Sequence, residues 1–117
     1  MPIATIGWDV YDEGNCEHLY CSELPSATWT HLVFTVSGTT MKVFKNGILV
    51  GTKIDGHEPN VVTRTQHTIG AFNKTNGLST YCLDGTVAHL RFWNDRELSA
   101  EIVSNLYSVR DTSFNQN

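Results

Sequence analysis

Three carboxyl groups lie close together near the start of the chain, where they could bind a hard cation. They are Asp9, Asp12 and Glu13, with Asn15 just beyond them. Calcium takes roughly six to eight oxygen ligands, and loop carboxylates together with backbone carbonyls supply such oxygens. The order does not fit an EF-hand loop, because Tyr11 occupies a ligand position and the terminal glutamate is absent. The residues therefore predict either a calcium site at Asp9, Asp12 and Glu13 or a solvated acidic turn.

The cysteines are the second group of reactive side chains. Cys16, Cys21 and Cys82 are odd in number, so at most one disulfide can close within the chain. The four-residue gap between the first two, with no second pair, is poor for structural zinc, which needs four converging ligands. We expect either a local Cys16–Cys21 bridge across the loop Gly14–Ser22 or three separate thiols that act as small apolar residues.

A third candidate site combines aromatic and polar side chains. Sugar-binding surfaces need exposed aromatic rings that stack on sugar CH faces, and polar groups that fix the hydroxyls. In a strand that ends at Trp93, this side chain shares a face with His89 and Arg91. That face is either a concave binding surface or the second face of a central strand, covered by a helix or by a partner. The predicted ligand-binding residues are Trp8, Tyr11, His89, Arg91 and Trp93.

Charge and hydropathy exclude several classes of function. Eight Lys and Arg against twelve Asp and Glu give a net charge of −4, and the basic residues are scattered singly. This pattern argues against a nucleic-acid partner. No apolar run approaches the roughly 20 residues that span a bilayer, so no membrane insertion is predicted. The sequon at Asn73 predicts glycosylation and, with the cysteines, favours an extracellular, secreted or surface-exposed protein.

Period-two alternation of apolar and polar residues predicts that short strands dominate the chain. Polar residues with Gly and Pro predict an exposed loop at Ile54–Thr63 and a turn at Asn73–Gly77. Many short strands at close spacing predict an antiparallel β-sandwich, or jelly roll, in one domain over residues 1–117. The predicted strands are Ile3–Tyr11, Thr30–Ser37, Thr40–Lys45, Ile48–Lys53, Gln66–Phe72 and Cys82–Trp93.

Two local signals position elements within this pattern. Asn46-Gly47 predicts a two-residue hairpin turn, because both positions of a type I′ turn need positive φ. A single helix is predicted at Ala100–Tyr107, with Ser99 as its N-cap and Leu98 packed on the first turns. Two turns of helix are too short to stand alone, so this helix must dock on the strands. Residues 108–117 are predicted to form a frayed tail.

A recognisable series of motifs runs over residues 29–107. In order and spacing it resembles the laminin-G-like jelly rolls of the concanavalin A-like lectin/glucanase superfamily. Those domains place W-x-H before a strand, Asn-Gly after the next strand, and Arg-x-Leu-Ser-x-Glu-x-Ile near the end. The matching stretches are Trp29-Thr30-His31, Asn46-Gly47, Thr68-Ile69-Gly70-Ala71, Leu83-Asp84-Gly85-Thr86 and Arg96-Glu97-Leu98-Ser99-Ala100-Glu101-Ile102.

The resemblance implies a non-catalytic extracellular recognition module that binds a glycan or glycoprotein, as lectins and adhesion proteins do. Several members of the superfamily use calcium, which agrees with the acidic candidate site. The alternative is a structural protein–protein module in a larger surface, filament or virion assembly, with no small ligand. An exposed aromatic platform would favour the first, and aromatic rings buried under partner strands would favour the second.

The N-terminal region departs from the superfamily pattern. Such domains have several strands before the W-x-H motif, whereas only Ile3–Tyr11 and a cysteine-bearing loop precede it here. A sandwich that lacks strands exposes edges and core. We therefore expect either that the chain is the C-terminal part of a larger polypeptide, or that self-association or a neighbouring chain completes the sandwich.

Hydrolysis is the least favoured function. Superfamily members that hydrolyse β-glucans carry Glu-x-Asp-x-x-Glu on one strand. The nearest stretch here, Trp8–Glu13, lacks the first glutamate, and Asp9 and Asp12 would alternate to opposite faces. The sequence also has no Gly-x-Ser-x-Gly elbow and no phosphate-binding glycine loop. We predict that the protein is not an enzyme.

Overall fold

The computed structural model describes residues 4–12, 15–59, 67–74, 77–111 and 113. Every ladder in this part of the chain is antiparallel and joins strands that are consecutive in sequence. The predicted antiparallel β-sandwich class with one short C-terminal helix is confirmed. The elements are β1 (Ala4–Asp12), β2 (Asn15–Leu24), β3 (Leu32–Ser37), β4 (Thr40–Lys45), β5 (Ile48–Lys53), β6 (Ala71–Lys74), β7 (Gly77–Cys82) and α1 (Ala100–Ser108).

The chain divides into two compact units. The first comprises Met1–Asn60 and Trp93–Asn117, and so contains β1 to β5 and α1. The second is Val61–Phe92, in which β6 pairs with β7. No helix among the described residues is both long enough and apolar enough to cross a bilayer.

A three-stranded sheet, β3–β4–β5, is the centre of the first unit. The predicted turn between β4 and β5 is confirmed, because Asn46 and Gly47 have φ angles of 50° and 82°. Asn46 also closes the start of β3. Its amide oxygen accepts from the backbone N–H of His31 at 2.9 Å, and its own N–H donates to the His31 carbonyl at 2.8 Å. The His and Asn-Gly motifs are therefore joined as one structural unit.

One face of the central sheet packs against the β1–β2 hairpin. Met41 and Val43 of β4 are fully buried there, and Ile6 of β1 and Leu19 of β2 are buried in the same cluster. Gly51 of β5 permits this close approach. A Cβ at that position would lie 2.9 Å from the Cβ of Cys21 on β2.

The opposite face of the sheet carries α1. Phe44 of β4 forms a buried cluster with Leu98 and Val103. The predicted N-cap is confirmed, since the Ser99 hydroxyl accepts from the backbone N–H of Ile102 at 3.2 Å. Leu98 is buried beside Val103, which agrees with the prediction that Leu98 packs on the first turns of the helix as a hydrophobic staple. The helix thus docks on the strands, as its short length requires.

Two predicted elements differ in the structure. The stretch expected as a loop, Gly14–Ser22, is strand β2 from Asn15 onward, because it pairs with β1 and Leu19 is buried in the core; Gly14 lies outside the described residues. The predicted strand Cys82–Trp93 is absent as a ladder, since β7 ends at Cys82 and residues 83–93 join no described sheet. Alternation indicates a strand with two different faces, but a ladder also needs a neighbour to pair with.

Other boundaries are shifted or only partly described. Of the predicted strand Gln66–Phe72, residues 67–70 are irregular and β6 begins at Ala71, while Gln66 lies outside the described residues. The predicted loop Ile54–Thr63 is irregular through Pro59, and residues 60–63 lie outside the described part of the chain. Residues 75–76 of the predicted turn lie outside it, as do residues 112 and 114–117 of the predicted C-terminal tail. The first residue of that tail, Ser108, is instead the last residue of α1.

Candidate functional site

The predicted ligand-binding residues are divided between the two units. Trp8 is half-buried: its indole N–H donates to the Thr35 carbonyl at 3.2 Å, and its ring packs on Phe34 with centroids 5.2 Å apart. This side chain therefore joins the hairpin to the central sheet. Trp93, in the first unit, is 39% exposed. His89 and Arg91 are exposed in the second unit, and the side chain of Tyr11 is outside the described part.

The predicted acidic set is described only at Asp9. The side chain of Asp12 and the whole of Glu13 lie outside the described residues. The Asp9 carboxylate instead faces a histidine, with 2.8 Å between its Oδ1 and Nδ1 of His18. The thiol of Cys16 approaches the same ring nitrogen, at 3.6 Å. Ligand atoms of these three side chains all lie within 4.8 Å of one another.

Strand register explains why these residues meet. Asp9 of β1 lies directly opposite His18 of β2, and residues opposite one another share a face. Cys16 precedes His18 by two positions, which returns it to that face. The intervening Glu17 and the following Leu19 belong to the other side of the strand. We call the exposed side of this ladder the outer hairpin face, formed by Gly7, Asp9, Cys16, His18 and Tyr20.

An aromatic ring extends this face. Tyr20 is 66% exposed, and its ring stacks on that of His18 with centroids 5.5 Å apart and 14° between the planes. It lies over Gly7, where an added Cβ would be 3.1 Å from two ring carbons. Glycine at this register position lets the Tyr20 ring lie against the backbone of β1.

The two described thiols lie on opposite sides of β2. Cys16 and Cys21 are both free, so the predicted disulfide between them is not formed. Five positions of extended strand separate them, and this odd number sends the side chains to opposite faces. Cys21 packs on the core beneath the hairpin, where burial raises the pKa of its thiol. Cys16 is the thiol available to the outer hairpin face.

Asp9, Cys16 and His18 do not form a catalytic proton relay. In a nucleophilic Cys–His–Asp system, the thiol and the carboxylate use different nitrogens of the imidazole ring. Here Cys16 and Asp9 both approach Nδ1 of His18. One nitrogen cannot take a proton from the thiol while it donates one to the carboxylate. Three ligand atoms within 4.8 Å of one another are instead suited to bind a shared cation or a polar ligand.

A charged cluster lies near the hairpin, on the Glu17 side of β2. The ammonium of Lys53 is 3.3 Å from a Glu17 carboxylate oxygen and 3.4 Å from one of Asp55. The hydrogen bond to Glu17 raises the pKa of Lys53, and the charge of Asp55 adds to it. His57 lies 3.8 Å from the second Glu17 oxygen. These pairs connect β2 with the end of β5.

Comparison with known proteins identifies the family to which this fold belongs. A laminin-G family model, described as the concanavalin A-like lectin/glucanases superfamily, matches residues 5–104. The chain belongs to this superfamily. The fold is also similar to an S-layer domain-containing protein (residues 221–444) from Clostridium thermocellum, with a TM-score of 0.63 and 21% identity. That match covers 90% of this chain and 63% of the solved structure, so the chain spans less than two thirds of it. No curated protein matches the chain.

The sequence alone did not predict that the residues of the outer hairpin face lie together. Its signal was the alternation Cys16, His18, Tyr20, which places three side chains of useful chemistry on one side of a strand. Two cysteines and several polar residues give the same stretch the composition of a loop, which conceals this alternation. The partner Asp9 becomes apparent only from the β1–β2 register.

Proposed function

We propose that the protein is a non-catalytic recognition module, exposed at a surface outside the cell, that binds a glycan or glycoprotein. The observation that carries the proposal is the outer hairpin face, where the exposed ring of Tyr20 stands beside His18 and Asp9. Aromatic rings stack on the CH faces of sugars, and neighbouring polar groups fix the hydroxyls. Membership of a superfamily named for lectins supports the same class of ligand.

The surface location has separate support. The fold neighbour is named as an S-layer domain-containing protein, and the sequon at Asn73 is a signal used by secreted proteins. The convergence of Cys16 and Asp9 on one imidazole nitrogen supports a module without nucleophilic chemistry. Trp93 of the first unit and, separately, His89 and Arg91 of the second unit stay proposed as ligand contacts, each within its own unit. So does calcium bound by the acidic set that begins at Asp9.

A glycan array with the folded, untagged protein tests this function, first with calcium and then with chelator. We expect reproducible binding to one sugar class. Tyr20→Ala should abolish it, whereas the matched variant Tyr20→Phe, which keeps the ring, should retain most of it. Chelator sensitivity would add a metal ion to the site. A blank array with protein shown to be folded by circular dichroism would contradict the proposal.

A second candidate, a structural module within a surface assembly, is favoured by a different observation. The second unit exposes apolar side chains along a segment that joins no described sheet, and Phe92 there is 86% exposed. A second copy or a neighbouring polypeptide that pairs with this segment would cover them. Light scattering across a range of concentrations tests this. A monodisperse monomer would contradict the assembly function and leave the glycan function standing. The exposed apolar residues are Ile69, Leu83, Val87, Leu90 and Phe92.

A further inference from the structure

We propose that Asp9, Cys16 and His18 bind a divalent transition-metal ion, with Zn²⁺ as the expected ion. Metal binding at this site is independent of glycan binding and is measured on the protein alone. Three features of the outer hairpin face support it: the distances between donor atoms, the chemical types of those donors, and the pairing of the two strands that carry them.

Two of the three donor–donor distances are close to those around a tetrahedral ion, and the third, between Sγ of Cys16 and the Asp9 carboxylate, is at most 4.8 Å. Zinc bonds of about 2.0 Å to nitrogen and 2.3 Å to sulfur place the two donors about 3.5 Å apart at a tetrahedral angle. The Sγ of Cys16 lies 3.6 Å from Nδ1 of His18. The corresponding nitrogen–oxygen separation is about 3.3 Å, and the Asp9 carboxylate oxygen is observed at 2.8 Å. A small outward rotation of the exposed Asp9 side chain is the adjustment that an ion requires.

The donor types select the ion. Calcium is bound by oxygen atoms, whereas imidazole nitrogen and thiolate sulfur are preferred by zinc and its neighbours in the periodic table. Two of the three donors described here are of the second kind. Asp9 then belongs to a mixed nitrogen, sulfur and oxygen site, and calcium held by Asp9 with Asp12 and Glu13 is the competing outcome that a competition between cations separates. Three protein ligands leave the fourth tetrahedral position to water.

The strands hold the donors in place without the metal. Asp9 and His18 face each other across the β1–β2 ladder, and Cys16 is fixed to the same side by the strand period. Stacking on Tyr20 restrains the orientation of the His18 ring. A site carried on paired strands loses less conformational freedom on binding than one carried on a loop. The metal would connect β1 to β2 at the side of the hairpin away from the core.

Cobalt is a suitable probe, because thiolate bound to Co²⁺ gives a charge-transfer band in the near ultraviolet. Reduced, untagged protein titrated with Co²⁺ should develop this band, and Zn²⁺ should displace it. Cys16→Ser should remove the band. His18→Ala should weaken Zn²⁺ binding at least about 100-fold, since even loss of an outer-shell partner costs roughly 10–100-fold. Cys21→Ala, which removes the thiol on the opposite side of β2, should leave the band unchanged.

Thermal melting gives a second readout that needs no chromophore. An ion that binds only the folded chain raises its Tm, so Zn²⁺ should raise the Tm of the wild type and of Cys21→Ala but not of His18→Ala. The proposal would be overturned by wild-type protein that melts cooperatively yet gives no cobalt band. A band that survives Cys16→Ser, or calcium that displaces cobalt more effectively than zinc, would overturn it equally. Because no sugar is present, failure here is distinct from a blank glycan array.

Discussion

The hydroxyl of Thr35 offers a test of how the central sheet is stabilised. Thr35 lies on β3 and is 7% exposed. Within the described part of the chain, no hydrogen-bond partner reaches its Oγ1. A buried polar group left without a partner costs about 1–3 kcal/mol. Valine has nearly the same shape and favours strands. We therefore expect Thr35→Val to raise the free energy of unfolding by about 1–2 kcal/mol.

Urea denaturation measures this change directly. The midpoint should rise with the slope of the transition unchanged, because the surface exposed on unfolding is nearly the same. In thermal melting, a gain of this kind corresponds to roughly 4 °C per kcal/mol for a chain of this length. Thr35→Ser is the matched control: it keeps the hydroxyl and loses the methyl group, so it should lower stability by about 1 kcal/mol.

The backbone contact of Thr35 stays in place in both variants. The Trp8 indole donates to the carbonyl oxygen of Thr35 and not to its side chain. Tryptophan fluorescence should therefore be the same in wild type and in the two variants before unfolding. If Thr35→Val were less stable than the wild type, the hydroxyl would have to be hydrogen-bonded in the folded protein. That result would refute the reasoning.

Three further predictions concern the contacts between elements. Gly51→Ala should lower the free energy of unfolding by about 1–3 kcal/mol, because its Cβ would overlap that of Cys21 and force β5 from β2. Ser99→Ala removes the hydroxyl that caps α1 and should cost about 1 kcal/mol in a urea titration. Donation to Glu17 raises the pKa of Lys53 above 10.5, so this stabilisation is complete below that pH and lost as the pH rises through the folded-state pKa. Lys53→Met should thus lower Tm at neutral pH, and the difference should shrink as the pH rises above 10.5 and passes the folded-state pKa.

Matched controls separate these effects from general loss of stability. Gly85→Ala adds a Cβ that meets only ordinary contacts, and should be nearly neutral. Ser104→Ala, on the exposed side of α1, should be neutral or slightly stabilising because alanine favours helices. Gly51→Ala with wild-type stability would show that β2 and β5 are further apart than described. A Tm difference for Lys53→Met that persists at high pH would assign the effect to packing of the side chain.

Sequence reasoning succeeded where the decisive interactions are local. Asn46-Gly47 specifies its turn because the required φ angles belong to those two residues alone. Ser99 caps α1 through a hydroxyl that reaches only three residues ahead. Such signals need no knowledge of the rest of the molecule. The strands β4 and β5 followed because the turn between them fixes the register.

It failed where an element depends on a distant neighbour. β2 has only a short apolar side, since Glu17 occupies one of its inward positions and pairs with Lys53 of β5. Without that partner, the stretch has the composition of a loop. The opposite error occurred at Cys82–Trp93, where clear alternation predicted a strand that has no described ladder. The candidate site could not be predicted from the sequence for the same reason. Asp9 and His18 lie opposite each other because of the β1–β2 register, which neither residue specifies.

The connectivity of the ladders also determines how quickly the strands can pair during folding. Each described ladder joins a strand to the next one in sequence, and a hairpin of this kind closes in about 1–10 μs. Short closures lose little chain entropy. The slower steps are therefore those that join separate elements. The β1–β2 hairpin packs on the central sheet through Ile6 and Met41. The docking of α1 on Phe44, which lies far upstream in the sequence, comes last. Refolding should show the hairpins forming early and the helix acquiring its protection against hydrogen exchange at the end.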